Sequence, residues 1–271
     1  MSTETATLRL SGVLHHEFDE RSEPVFDLDP SYVGDAVRWC GHTGDDVLRR
    51  TGTTFVTMGA ALLDALPGPL PETDAVLLAY DRPDLLRPEV AGCYLADRLP
   101  GSPVPFSVSG QGGCAAFTAL GIAQGMLREG VAETGALFVI DQQVAAWDRE
   151  PAAPDPPDAS ALVVFGAEGD VAVRDLTEVR TAEPGDPTPS EAVVRVRADH
   201  PGIPAVVGPE LAAVLDTTDT AEGIEPAGPG APCTGVWAAV AARWPLRAPL
   251  LLADRQPDSG RVHACVLEPA R

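Results

Sequence analysis

Cys114 is the residue whose setting most invites chemistry. It stands in Ser109-Gly110-Gln111-Gly112-Gly113-Cys114-Ala115, between an apolar run that reads as a strand and a long apolar run that reads as a helix. A thiol at a helix head meets backbone N–H groups and the positive end of the helix dipole, which lowers its pKa and can stabilise an oxyanion. The helix behind it, 115–127, is apolar nearly all round, so it must be central and covered on several sides. The glycines before it permit a tight turn. The same residues also suit a small cysteine that is merely buried.

Two further patterns overlap this turn. Gly110-x-Gly112-x-x-Ala115, with Asp141 closing the next strand, imitates a dinucleotide fingerprint, in which glycines admit pyrophosphate and the acid holds a ribose. Gly112-x-Cys114-x-Ala116 imitates a nucleophile elbow with Cys in place of Ser, and His263 comes late enough in the chain for a Cys-dependent α/β-hydrolase. Against that, His263 lies inside the strand-like RVHACVL, whereas a hydrolase histidine belongs on a loop. Among candidate bases, His200 in Asp199-His200-Pro201 reads first as a loop histidine, and Glu210 is a second carboxylate candidate. His15, His16 and His42 read as solvated or capping residues, and no metal site is expected from them.

Elements that must position Cys114 follow from the apolar patterning. Strands are expected at 6–13, 75–79, 104–109 and 136–140, with two helices between 33 and 66 and a short one over 88–99. The glycine at 130 should cap the long helix in the left-handed conformation. This β-α-β-α-β rhythm with buried strands predicts an α/β protein. Residues 151–157 and 182–190, rich in proline, read as linkers. Strands are expected at 161–165 and 171–173, paired as a hairpin around Glu168-Gly169-Asp170, then at 192–196, 205–207, 249–253 and 261–267. A loose loop over 217–232 and a helix over 234–243 complete the pattern. Gly113-Cys114-Ala115, opening a helix that leads into ALFVI, is echoed by Pro232-Cys233-Thr234, opening a helix that leads into LLLA, as in a duplicated half.

Composition narrows the chemistry. In 271 residues every one of the 19 basic side chains is Arg, and there is neither Lys nor Asn, so no Schiff base, phosphate lysine or Cys-His-Asn triad can be built from this chain. A net charge of −21 repels phosphate backbones and anionic membranes, so neither nucleic acid nor membrane is expected as a partner. No apolar run reaches the length of a membrane helix and Met1-Ser2-Thr3-Glu4 opens no signal peptide, so a cytoplasmic protein is expected. Cys40, Cys93, Cys114, Cys233 and Cys265, odd in number and irregularly spaced, read as free thiols.

Residues 75–141, with AVLLAYDRPD, AGCYLADRLPG, VPFSVSGQGGCAAFTALGIAQGMLREG and GALFVIDQ, resemble the N-terminal half of a thiolase-fold condensing enzyme, a ketoacyl carrier-protein synthase III relative. The resemblance extends over most of the chain. It implies a thiolase-like α/β fold of duplicated βαβαβ halves in α-β-α-β-α layers, divided as 1–173 and 174–271, the second half abbreviated. It also implies a dimer through the strand 104–109 and acceptance by Cys114 of an acyl group from acyl-CoA or the phosphopantetheine of an acyl carrier protein. Where such relatives place a catalytic histidine, this chain has Ala205-Val-Val-Gly-Pro-Glu210; where they place Asn it has Gly228-Pro-Gly-Ala-Pro-Cys233. Their glycine-rich turn before the final strand is replaced by Asp254-Arg-Gln-Pro-Asp-Ser-Gly260. Ordinary Claisen condensation is therefore not expected; acyl transfer through Cys114 in specialised metabolism is, with a degenerate partner subunit of a heteromeric complex as the alternative. An acidic carrier protein would need a local patch of arginines such as Arg38, Arg49 and Arg50.

Overall fold

The structure, a computed structural model, describes residues 7–20, 22–24, 29–38, 41, 47–85, 90–144, 157–215, 223–228 and 231–270. The expected linker at 151–157, but for Pro157, lies outside them, together with Cys40 and His42. In chain order come β1 (Arg9–Phe18), β2 (Glu23–Pro24), α1 (Pro30–Val37), β3 (Thr51–Gly52), α2 (Phe55–Asp64), β4 (Thr73–Tyr80), α3 (Ala91–Arg98), β5 (Gly101–Ser109), a 3-10 turn (Gly112–Cys114), α4 (Ala115–Arg128), β6 (Thr134–Asp141) and β7 (Asp158–Gly166). There follow β8 (Val171–Arg180), α5 (Pro189–Ala198), β9 (Ala205–Val207), α6 (Pro209–Ala212), β10 (Ile224–Pro226), α7 (Gly235–Ala241), β11 (Leu250–Gln256) and β12 (Arg261–Pro269). None of the described helices is long and apolar enough to cross a membrane.

Ten strands form one sheet in the order β10-β9-β11-β12-β8-β1-β7-β6-β4-β5. Counting the major strands of each half from its own first, β1-β4-β5-β6-β7 and β8-β9-β10-β11-β12 both show the spatial order 3-2-4-5-1, and the two first strands meet at the centre. In each half strand five runs antiparallel to both neighbours while the other pairs around strand two are parallel. Within the sheet, the described strands of the two halves meet where β1 pairs with β8, at Arg9↔Ala172 and Leu10↔Val171. The fold is therefore an internal duplication, and the second half is abbreviated to strands of three residues at β9 and β10 and a four-residue α6.

Side-chain alternation along the buried strands separates three apolar layers. The central layer holds α4 and α7, with Phe117, Leu120 and Trp237 packed against Leu77 and Val139 of one half and Val206 and Leu252 of the other. On the outer face of the first half, α2 and α3 cover Val76, Leu78, Phe138 and Ile140 through Phe55, Met58 and Leu95. On the outer face of the second, Ala192 and Val193 of α5 and Leu211 of α6 cover Ala205, Val207, Leu251 and Ala253. Helices, sheet, helices, sheet and helices make five layers, with α4 in the middle one, as its all-round apolar sequence requires.

Two local expectations are corrected. The segment 192–196 is helical rather than a strand: Thr188 and Glu191 form a capping box, and Pro189 occupies the first turn of α5. Strands β7 and β8 do not pair as a hairpin, because β1 inserts between them and takes the hydrogen bonds of both. Gly130 does adopt the left-handed conformation, with φ of +67°.

Candidate active site at the head of the central helix

Strand β5 ends at Ser109, and the chain reverses through Gly110 and Gly112 with φ of +70° and +54° before entering α4. The turn is pinned from two sides. The Gly112 N–H donates to Asp81 at 3.0 Å, and the Thr118 hydroxyl donates to the Gln111 side chain at 2.6 Å. Cys114 follows as the residue capping α4, and its side chain is fully buried. The expectation of an acidified thiol is overturned here: burial pushes Cys114 well above the usual thiol range, the Asp254 carboxylate pushes the same way, and the His263 backbone N–H only partly opposes them. The resting side chain is a thiol.

Asp254 was not singled out as a site residue by the sequence, yet its carboxylate lies against the nucleophile turn. A Cβ added at Gly113 would fall 1.9 Å from Asp254 Oδ2, and one added at Gly208 would fall 2.1 Å from the same oxygen. The space just past β9, where the resemblance places a histidine, is thus filled from β11. Oδ1 accepts the N–H groups of Leu211 at 3.1 Å and Arg255 at 2.8 Å, while Oδ2 is buried and has no hydrogen-bond partner. The carboxyl is raised to about 7: burial is the main cause, the two N–H donors pull it down, and Glu210 and Asp141 push it up. The raised folded value means that the folded state holds a proton the unfolded chain has lost. Stability from this group is therefore fully present below about pH 4 and lost as pH rises toward about 7. Asp254→Asn should flatten the fall of the unfolding midpoint between pH 4 and 7 relative to wild type, as measured by thermal denaturation across that range.

Asp141 is engaged elsewhere than at a ribose. It accepts the Cys233 N–H at 3.0 Å, the Thr234 N–H at 2.7 Å and the Thr234 hydroxyl at 2.6 Å, and so binds the head of α7 from the opposite half. That occupation removes the acid a dinucleotide fingerprint needs. His263 sits in β12 with Nε2 3.8 Å from Glu178 and its ring beside Phe117, fixed in a strand as the hydrolase pattern forbids. His200 is tied to Asp175 at 2.7 Å, which commits it to β8 rather than to the turn. Glu210, in the first turn of α6, helps line a cavity of about 360 Å³ over the turn, together with Asp81, Arg82, Gly112, Gln143 and Pro257. His15 is half-buried in β1, with its pKa lowered by burial, and its neighbour His16 packs edge-on to Phe18. Among the described residues no group of three or more His, Cys, Asp or Glu is arranged to hold a metal. Of the arginines, Arg38 pairs with Asp35 at 3.8 Å on α1.

The signal for both aspartates was present in the sequence as the repeat ALFVID and LLLAD, an acid following the apolar run of each fourth strand. The register makes them equivalent: Ile140 pairs with Tyr80, the last residue of β4, and Ala253 with Val207, the last of β9.

No protein-family model and no curated protein sequence matches the chain. Solved structures do. The tetronic acid condensing enzyme AbyA1 superposes with a TM-score of 0.62 at 16% identity, over 97% of this chain and 100% of that one. The fold is that of the thiolase-like condensing enzymes. The 3-oxoacyl-(acyl carrier protein) synthase III of Pseudomonas aeruginosa PAO1 matches with a TM-score of 0.59 at 16% identity, over 97% and 98% of the two chains. An acyltransferase designated ChlB3 matches at 0.58 and 15%, over the same shares. The thiolase-like architecture, with its doubled half and central helix pair, thus holds along nearly the whole chain at identities that speak to fold alone.

Proposed function

We propose that the protein is an acyltransferase of the synthase III-like kind, which takes an acyl group from a carrier-protein or coenzyme A thioester onto Cys114 and passes it to an acceptor in specialised metabolism. The observation that carries this reading is the placement of Cys114 at the head of the middle-layer helix, on the seam between the duplicated halves and two residues past Gly112, which lines a cavity whose walls come from both. Condensation is not part of the proposal: the turn after β9 and the loop before α7 offer neither histidine nor asparagine to stabilise an enolate. Acyl exchange between thiols needs only a nucleophile, a proton acceptor and a donor for the oxyanion.

A dimer through the edge strand β5 belongs to the same proposal. Its pairing edge faces away from β4, and Val104 and Phe106 are exposed on it.

One observation favours a second reading, a non-catalytic partner subunit of a ketosynthase-like complex. The thiol is fully buried and held protonated, which suits a cysteine retained for packing. Incubation with acyl-coenzyme A and acyl carrier proteins followed by intact-mass and peptide mass spectrometry separates the two. The acyltransferase should gain one acyl mass on the peptide holding Cys114, and Cys114→Ala should gain none while keeping its unfolding midpoint within a few degrees. Absence of an adduct with every thioester supplied leaves the partner-subunit reading.

A further inference from the structure

The duplication sets two aspartates in equivalent places and gives them different tasks. Asp141 closes the fourth strand of the first half and Asp254 stands at the matching register in the second, and alternation along β6 and β11 turns both toward the central layer. Each lies against the head of the central helix contributed by the other half. Asp141 spends both oxygens there, on the N–H groups of Cys233 and Thr234 and on the Thr234 hydroxyl. Asp254 spends only Oδ1, and on its own half. Its Oδ2, fully buried, faces Gly113 beside Cys114 with no donor. A buried acceptor left empty is costly, so a retained one calls for a task.

We propose that Asp254 is the proton-transfer partner of Cys114, accepting the thiol proton during acylation and returning it to the departing thiol. This rests on the acyltransferase reading of the site. In the step, the Cys114 S–H proton moves to Asp254 Oδ2 as the sulfur attacks the thioester carbonyl. A C–S bond forms to Cys114, and the bond to the donor's sulfur breaks. The proton then passes from Asp254 to that leaving sulfur, which departs as a neutral thiol. Asp254 ends as it began and no electrons are gained or lost. The carboxylate itself occupies the space past β9, since a Cβ on Gly208 would fall 2.1 Å from Oδ2.

Several groups set the working range of this proton. Glu210 faces Asp254 from α6, Asp141 from the end of β6 and Cys114 from the head of α4. Arg255 follows it on β11, His263 lies opposite it on β12 and Glu178 flanks His263 on β8, whereas α5 packs on the other face of the strand through Ala192 and Val193. With the carboxyl raised to about 7, a base of this kind gains its active form as pH passes through neutrality.

The test is the rate at which Cys114 is acylated by acetyl-, hexanoyl- and lauroyl-coenzyme A, followed by quenched mass spectrometry from pH 5 to 9, in wild type and Asp254→Asn. The expected result is a wild-type rate that climbs through a limb near pH 7, and a folded Asp254→Asn that is at least about 100-fold slower and lacks the limb. A folded Asp254→Asn acylated within about threefold of wild type with the limb intact would overturn the inference while leaving acyl transfer standing. Should the variant fail to fold, the wild-type profile decides: a limb near pH 7 supports Asp254, and a rate that rises only in the thiol's own alkaline range refutes it. If wild type takes no acyl group from any donor, the acyltransferase reading falls and this inference with it.

Discussion

Replacing Asp141 with Ala should destabilise the protein by about 3–5 kcal/mol, a large fraction of the stability of a typical domain. The carboxylate is buried and receives the Cys233 N–H, the Thr234 N–H and the Thr234 hydroxyl within 3.1 Å. These donors open α7, which has no side-chain cap of its own, so truncation leaves three polar groups in the middle layer without partners or water. The loss is also non-local. Asp141 belongs to the first half and α7 to the second, and among the described residues the sheet pairs those halves over a short stretch of β1 and β8, at Arg9↔Ala172 and Leu10↔Val171. Urea unfolding followed by circular dichroism measures the effect. Asp141→Asn, which keeps one acceptor oxygen but turns an amide toward the donors, should fall between wild type and Ala. A loss below about 1 kcal/mol for Asp141→Ala would mean that the bonds do not bear on stability.

Gly113→Ala should be comparably severe, for a steric reason. The added methyl would sit 1.9 Å from Asp254 Oδ2 and 2.3 Å from the Pro232 carbonyl oxygen. One obstacle is a side chain and can turn aside; the other is backbone at the entrance to α7 and moves only with that helix. Overpacking of this kind costs about 1–3 kcal/mol, and more where backbone blocks the relief. The double variant Gly113→Ala/Asp254→Ala separates the obstacles: it should recover part of the unfolding midpoint and not all of it, because the carbonyl remains. Full recovery would place the whole clash on Asp254. Since Gly113 precedes Cys114, even a folded Gly113→Ala should displace the sulfur and depress acylation more than stability.

Much of the site was legible before the fold. The glycine turn, the cysteine and the all-apolar helix behind it follow from residue types, because a helix with no polar face has nowhere to go but the middle layer. The echo between Cys114 and Cys233 likewise reported the duplication, and the missing Asn removed one catalytic member regardless of topology. The run AVVRV favours a strand through its β-branched valines, yet the Thr188 and Glu191 capping box and Pro189 in the first turn make the segment helix α5. The supposed hairpin of β7 and β8 failed for another reason. Sequence neighbours joined by a tight turn pair only if no third strand claims the space between them, and β1 comes from 150 residues earlier to claim it.

The protonation of Cys114 shows the division most plainly. From its neighbours in the chain the thiol should be acidified by the helix head; in the fold, burial and a carboxylate from residue 254 reverse the sign. Likewise, two aspartates following similar apolar runs look alike as letters. Only the packing of one half against the other makes Asp141 a helix cap with both oxygens used, and Asp254 a buried carboxyl with one oxygen free against the Gly113 turn. Sequence alone determined the local conformations, the duplicated pattern and the chemistry that was excluded, since these depend on side-chain type and short-range spacing. Tertiary structure decided which groups meet and in what dielectric, since desolvation and the field of distant charges depend on contacts between residues far apart in the chain, 92 positions for Asp141 and Cys233.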